Sequence, residues 1–157
     1  MYYGISNLKN FEEKLRENTG KASVFSFITP KTFNGKDFNG KFNKKVFILS
    51  LNTHFSVLNM FEIKGTYAKD YQDDTYKIAY EIDIPKYVKN FQLLVLIFGF
   101  FTINFLTPEL AKSPSILTLN ITYTSFLLVA FLMYKLSFRK VKNKFMRVFE
   151  ITNEPIK

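Results

Sequence analysis

Few side chains in this chain could do chemistry. There is one histidine, His54, and no cysteine. A zinc site built on several imidazoles, a thiolate metal site and a Cys/His nucleophilic pair are therefore all unsupported. His54 lies between Thr53 and Phe55 at the start of a strand pattern and reads as a structural turn residue. Asp73 and Asp74 are adjacent acids, and two acids immediately before a strand read as a solvated turn rather than a carboxylate dyad or a cation site. No glycine-rich strand-to-helix turn followed by Lys-Ser/Thr occurs, so nothing cradles a phosphate in the P-loop manner. No nucleophile with a base and no acid cluster converges on one place. The expectation is a protein that is not an enzyme and needs no cofactor or metal.

The polar residues that remain sit within or beside long apolar runs. Asn104, Asn120, Thr122 and Thr124 interrupt two such runs. They can serve as hydrogen-bonding contacts between membrane helices, or as the lining of a polar path when several copies assemble. Asn120-Ile121-Thr122 matches a glycosylation sequon but falls inside an apolar run, where it should be inert. Lys135, Arg139, Lys140, Lys142, Lys144 and Arg147 follow the second run and are placed to contact anionic lipid.

These positions define the elements that must carry them. Phe91 to Leu106 holds no charged residue, and Tyr87 to Thr107 supplies the roughly 20 residues that a bilayer crossing needs. Thr107 to Pro114 is a short polar turn, and Ile116 to Leu136 is a second apolar run whose one charge, Lys135, can snorkel. The reading is a transmembrane hairpin over residues 87–137, with helices at about 87–107 and 116–136. Lys86 and Lys89 precede it and the six bases follow or close it, whereas the connecting turn carries only Lys112. Both termini are therefore expected in the cytoplasm of an integral protein of a bacterial inner membrane. A buried helical hairpin in a soluble protein would instead need a partner surface for helices apolar on nearly every face.

The net charge of +9 invites comparison with a nucleic-acid binder, but its distribution points elsewhere. Residues 1–90 hold 14 Lys/Arg against 10 Asp/Glu, and residues 138–157 hold 6 against 2. The densest positive charge abuts an apolar segment, as a membrane flank does, so nucleic acid is a disfavoured partner. In the tail, Phe138, Val141, Phe145, Val148 and Phe149 share one helical face. That face suits a helix lying on lipid, and it equally suits a simple continuation of the second span.

Residues 1–86 form the expected soluble module. Ser6, Leu8, Phe11, Leu15 and Gly20 suggest one amphipathic helix with its N-cap at Ser6 and its stop at Gly20. Thr75 to Ile84 alternates apolar and polar residues as a half-buried strand does. Ser23 to Thr29, Lys41 to Leu51 with a turn at Asn43-Lys44, and Phe55 to Tyr67 read as further strands. Asn34-Gly35, Asn39-Gly40 and Asp70 to Asp74 supply turn chemistry. The fold class is thus an α+β membrane protein: an antiparallel β meander with one helix, a two-helix transmembrane hairpin, and a basic C-terminal helix over 138–157.

The stretch Phe38-Asn39-Gly40-Lys41-Phe42, then Val46-Phe47-Ile48, then Ile63-Lys64-Gly65-Thr66-Tyr67 leads through the alternating strand into the first apolar run. In this order of parts the chain resembles uncharacterised small bacterial membrane proteins with an N-terminal helix, a β meander and two closing transmembrane helices. The resemblance implies architecture and no activity. The functional expectation is a membrane-anchored, non-enzymatic binding protein, acting as a homo-oligomer or within a membrane complex. The alternative is a ligand-gated effector whose hairpins assemble into a pore.

Overall fold

A computed structural model of the chain describes residues 1–6, 10–21, 35–53, 56–105 and 115–153. Strand β1 (Tyr2–Ser6) is followed by α1 (Phe11–Asn18), β2 (Thr19–Lys21), β3 (Phe38–Phe42) and β4 (Val46–Leu51). After the single turn α2 (Ser56–Asn59) come β5 (Glu62–Asp70) and β6 (Thr75–Asp83), then helices α3 (Lys86–Phe105) and α4 (Ser115–Val148), and last β7 (Ile151–Asn153). The molecule is α+β, with a β-rich N-terminal part and a long C-terminal apolar helix. The helix over Leu117–Val148 is long and apolar enough to cross a membrane.

The chain divides into two units: Met1–Ile84 together with Ser137–Lys157, and the insert Pro85–Leu136. Residues 138–157, which the sequence suggests as a third segment, thus belong to the same unit as the N-terminal module. In that unit the described strands form one sheet in the order β2-β3-β4-β5-β6-β1-β7. Strands β3 to β6 are the antiparallel meander, while β2 runs parallel to β3. Strand β1 pairs antiparallel with β6, Tyr2 opposite Tyr80 and Ser6 opposite Tyr76, and β7 closes the other side of β1.

Period-two alternation assigns the faces of the sheet. Phe47, Leu49 and Leu51 of β4, Ile63 and Tyr67 of β5, and Ile78, Tyr80 and Ile82 of β6 are buried. Helix α1 and the last three turns of α4 cover them: Phe11, Leu15, Val141, Phe145 and Phe149 are all fully buried. The Phe11 ring packs at a tilt against Tyr67 and Phe149, with centroids 5.0 and 5.4 Å away. Phe145 lies 5.1 Å from Tyr80 and 5.7 Å from Phe47. Removing one such ring costs about 3–5 kcal/mol in a packed core. Of the two readings of the tail, the structure has the continuation of α4, and its apolar face is covered by the sheet.

Several local expectations change. Ser6 is not the N-cap of α1: it lies in β1, and Asn10 caps the helix by accepting the Glu13 N–H at 3.1 Å while its amide donates to the Glu13 carboxylate at 2.9 Å. Gly20 does not stop the helix but sits inside β2. Asn39-Gly40 is not a turn. It lies mid-strand, and Gly40 is needed because a Cβ there would come 2.9 Å from the Leu49 Cα on the next strand. Phe55 to Tyr67 contains α2 before β5 begins at Glu62. Ser23 to Thr29, Leu8 and His54 lie outside the described residues. Helix α4 ends at Val148, and Glu150, with a φ of 49°, turns the chain back into β7.

The insert is different in kind. From Phe91 to Phe98 every residue of α3 is exposed, and α4 is exposed or half-buried from Leu117 to Leu136. Within the insert the two helices touch. The Tyr123 hydroxyl donates to the Leu96 carbonyl at 2.7 Å, and the Tyr123 ring lies against Gly99, within 3.4 Å of where a Cβ would stand.

Candidate functional site: a basic cleft in the sheet unit

The C-terminal turns of α4 carry two opposed sets of residues. Val141, Phe145 and Phe149 recur every four residues and point into the core. Lys140, Asn143, Lys144 and Arg147 follow the i, i+3, i+4, i+7 spacing that places side chains along one helix flank. They form one wall of an open cleft of about 400 Å³, whose other wall is Leu51, Thr53 and Leu58.

That second wall is tied down by amide side chains. The Asn59 amide donates to the Thr53 carbonyl at 2.7 Å and its side-chain oxygen accepts the Thr53 N–H at 3.2 Å. Asn52 reaches across to the preceding loop, donating from its side chain to the Lys36 carbonyl and from its backbone to the Asp37 carbonyl, each at 2.9 Å. These bonds present the Asp37 carboxylate to Lys144, 2.5 Å away. Lys36 points the other way, donating to the Arg16 and Thr19 carbonyls at 2.8 and 3.2 Å at the end of α1.

The six bases singled out in the sequence therefore separate. Lys140 and Arg147 are exposed at the cleft and carry no ion pair among the described residues, while Lys144 pairs with Asp37. The Lys142 ammonium sits over the Tyr2 ring, 3.9 Å from its centroid, and helps to seat β1. Lys135 lies 4.9 Å from the Phe131 ring centroid on its own helix, and Arg139 is exposed and does not line the cleft. The sequence names Lys140, Lys144 and Arg147 among six bases but neither Asn143 nor a common flank, and the facing wall is out of its reach because Leu51 and Leu58 are more than eighty residues away along the chain.

A larger open groove, about 980 Å³, runs along the other side of the sheet past Tyr3, Thr66, Ala68, Lys69, Tyr71 and Lys77. Two of the four lysines that line it are already neutralised. Lys69 pairs with Asp74 and Lys77 with Asp70, each at 2.7 Å. The hydrogen bond from Lys77 holds the Asp70 carboxyl below its usual range, and the bond to Asp74 raises Lys69. Asp73 and Asp74 lie in this exposed β5–β6 turn. Among the described residues no group of three or more His, Cys, Asp or Glu could hold a metal ion.

The polar residues of the apolar runs take up separate positions. Thr122 is exposed and its hydroxyl donates to the Thr118 carbonyl at 2.9 Å on its own helix, Thr124 is exposed, and Asn120 is half-buried. Asn104 belongs to α3, but its side chain lies outside the described residues. The helix contact that is described, Tyr123 on Leu96 and Gly99, was not anticipated. Its one signal was a glycine within an apolar run, which permits close approach of a partner helix. No protein-family model, curated protein or solved structure matches this chain.

Proposed function

We propose that the chain is an integral membrane protein without enzymatic activity, whose hairpin of α3 and α4 anchors a cytoplasmic β-rich module that binds a partner or ligand. One observation carries this reading. The sheet unit is made of Met1–Ile84 and Ser137–Lys157, so the apolar insert leaves and re-enters the same folded unit. An insert that begins and ends in one water-soluble unit crosses a bilayer an even number of times. Helix α4 has the length and apolarity of a span, and α3 offers 20 residues as its partner.

Lipid also accounts for the surface of the insert. Phe91, Leu94, Phe98, Phe126, Leu128 and Leu136 each expose more than half of their area, which water would penalise at about 25 cal/mol per Å². Lys86 and Lys89 at the start of α3, and Lys135, Arg139 and Lys140 on α4, flank the apolar stretches at the two points where the chain joins the sheet unit. That charge asymmetry favours a cytoplasmic module and an inner-membrane location. The anchor is favoured over a pore because Thr122 and Tyr123 spend their hydroxyls on helix carbonyls and not on a water path.

Topology is the decisive measurement, and the cysteine-free chain is suited to it. Single Ser113→Cys, Tyr71→Cys and Arg139→Cys variants are exposed to an impermeant maleimide in intact spheroplasts and again after permeabilisation. Ser113→Cys should react in intact spheroplasts, and the other two only after permeabilisation. Labelling of Tyr71→Cys and Arg139→Cys from opposite sides would exclude the hairpin. Dye or ion leakage from liposomes holding the purified chain, lost on Asn120→Leu, would shift the reading to the pore.

A further inference from the structure

We infer that the cleft formed by Lys140, Asn143, Lys144 and Arg147 against Leu51 and Leu58 is a binding site for a phosphate group. The inference deepens the binding-module reading and rests on it, since it names the ligand chemistry of that module.

Three cationic side chains and one amide on a single helix flank line one cleft, and a phosphate presents acceptors in every direction. A positive-inside flank requires only that bases lie near the end of a span, on any face of the helix. Here they are sorted. Lys142 is engaged with the Tyr2 ring, whereas Lys140 and Arg147 stand at the cleft without an acid partner among the described residues. The wall opposite is held by the Asn59 and Asn52 amides, so the cleft is set by the fold rather than by the ligand. The leucines of that wall suit a phosphate carried on an apolar or sugar-like body more than a bare ion.

Asp37 occupies part of the site. Its carboxylate meets Lys144 at the cleft margin, with both side chains about one-third exposed (32% for Lys144 and 39% for Asp37). An incoming phosphate takes the place of this carboxylate on Lys144, so Asp37 is a tethered competitor. Removing it should tighten phosphate binding more than the gain of one unit of net charge does.

The phosphate can belong to a soluble ligand or to an anionic lipid headgroup, and the test separates these. The 157-residue chain in a non-ionic detergent is titrated with inorganic phosphate and with pyrophosphate. The same chain is placed in nanodiscs of phosphatidylcholine, with and without phosphatidic acid. In every arm the acylation of Lys140 and Lys144 is read by mass spectrometry, with Lys41, on the uncovered face of the sheet, as internal reference. Protection of Lys140 and Lys144 by phosphate or pyrophosphate identifies a soluble source. Protection only with phosphatidic acid identifies a headgroup.

Lys140→Gln/Arg147→Gln should lower the affinity at least tenfold, and Lys41→Gln/Lys45→Gln, which removes the same charge elsewhere, less than twofold. Asp37→Asn should raise it several-fold and Glu81→Gln should not. Thermal unfolding by circular dichroism verifies that each variant is folded. Equal losses in the two double variants, or protection in no arm, would overturn the site. Retention in carbonate-washed membranes is scored in parallel: release of the unaltered chain there counts against the anchor and leaves the titration in detergent to judge the cleft.

Discussion

The Ser6 hydroxyl donates to the backbone carbonyl of Phe149 at 2.7 Å, both residues buried, across a sequence separation of 143 residues. Phe149 sits at the turn out of α4, where no further helical turn offers its carbonyl an N–H, and Ser6 supplies the donor. The bond joins the first strand to the end of the last helix beside the β1–β7 pairing. It is one of the contacts that make a single unit from the two ends of the chain.

Ser6→Ala should therefore destabilise the sheet unit by about 1–3 kcal/mol, because a buried carbonyl is left without its partner. Chemical denaturation of the detergent-solubilised chain measures this. Thr152→Ala is the comparison: its hydroxyl donates to the Ile5 carbonyl on the exposed side at 3.2 Å, and its loss should cost under about 0.5 kcal/mol. Equal effects would mean that burial at Ser6 does not set the cost.

A second prediction concerns which parts of the chain fold together. Deleting residues 137–157 removes Val141, Phe145 and Phe149 from the core and β7 from the sheet, so the remaining N-terminal module should be unfolded and aggregating. Replacing Pro85–Leu136 by a flexible Gly/Ser linker should instead leave a soluble, cooperatively melting module, since that segment forms the other unit. Circular dichroism and gel filtration report both. A folded product of the deletion would refute the role assigned to the end of α4.

Much of this arrangement was legible in the residues. The alternation from Tyr76 to Ile82 is a period-two pattern strong enough to survive in any context, and β6 lies there. Other strands were hidden because their evidence is not local. Tyr2–Ser6 carries little alternation of its own and is a strand because β6 and β7 pair with it on either side. Asn39-Gly40 looks like turn chemistry, yet Gly40 answers to the closeness of β4. The apolar face at Val141, Phe145 and Phe149 announces that something covers it without saying whether that is lipid or a sheet. The cleft follows the same rule: the sequence offers Lys140, Lys144 and Arg147 as three of six tail bases, and only the fold sets them with Asn143 against Leu51 and Leu58.

Gly65 provides a sharper test of packing. It lies opposite Phe47 in the β4–β5 ladder, and the Phe47 ring occupies the space where its Cβ would be, with the Ala79 carbonyl 2.6 Å from that point on the other side. Neither neighbour can give way cheaply, one being a fully buried ring and the other backbone. Gly65→Ala should cost about 2–4 kcal/mol, at or beyond the upper end of the usual overpacking range. Adding Phe47→Leu should recover part of the loss. If Gly65→Ala melts like the parent chain, the Phe47 ring does not sit where the structure has it.

The last prediction is a pH dependence with a defined sign. Burial pushes the Tyr67 and Tyr80 hydroxyls up to about 12, from an ordinary value near 10.0, with Glu12 adding to the effect at Tyr67. The unfolded chain loses these protons near pH 10 while the folded chain keeps them, so between about pH 10 and 12 the unfolded state binds fewer protons. Stability from this source is fully present below pH 10 and declines as the pH rises through that window. Denaturation midpoints at about pH 9 and pH 11 should show the loss, and the absorbance of tyrosinate should rise in step with unfolding for these two residues. Tyr67→Phe should flatten the alkaline decline, although it also removes the hydrogen bond from the Tyr67 hydroxyl to the Asn43 carbonyl at 2.5 Å and so lowers stability at neutral pH. The buried assignment of Tyr67 and Tyr80 is wrong if all nine tyrosines ionise together near pH 10 in a chain that remains folded.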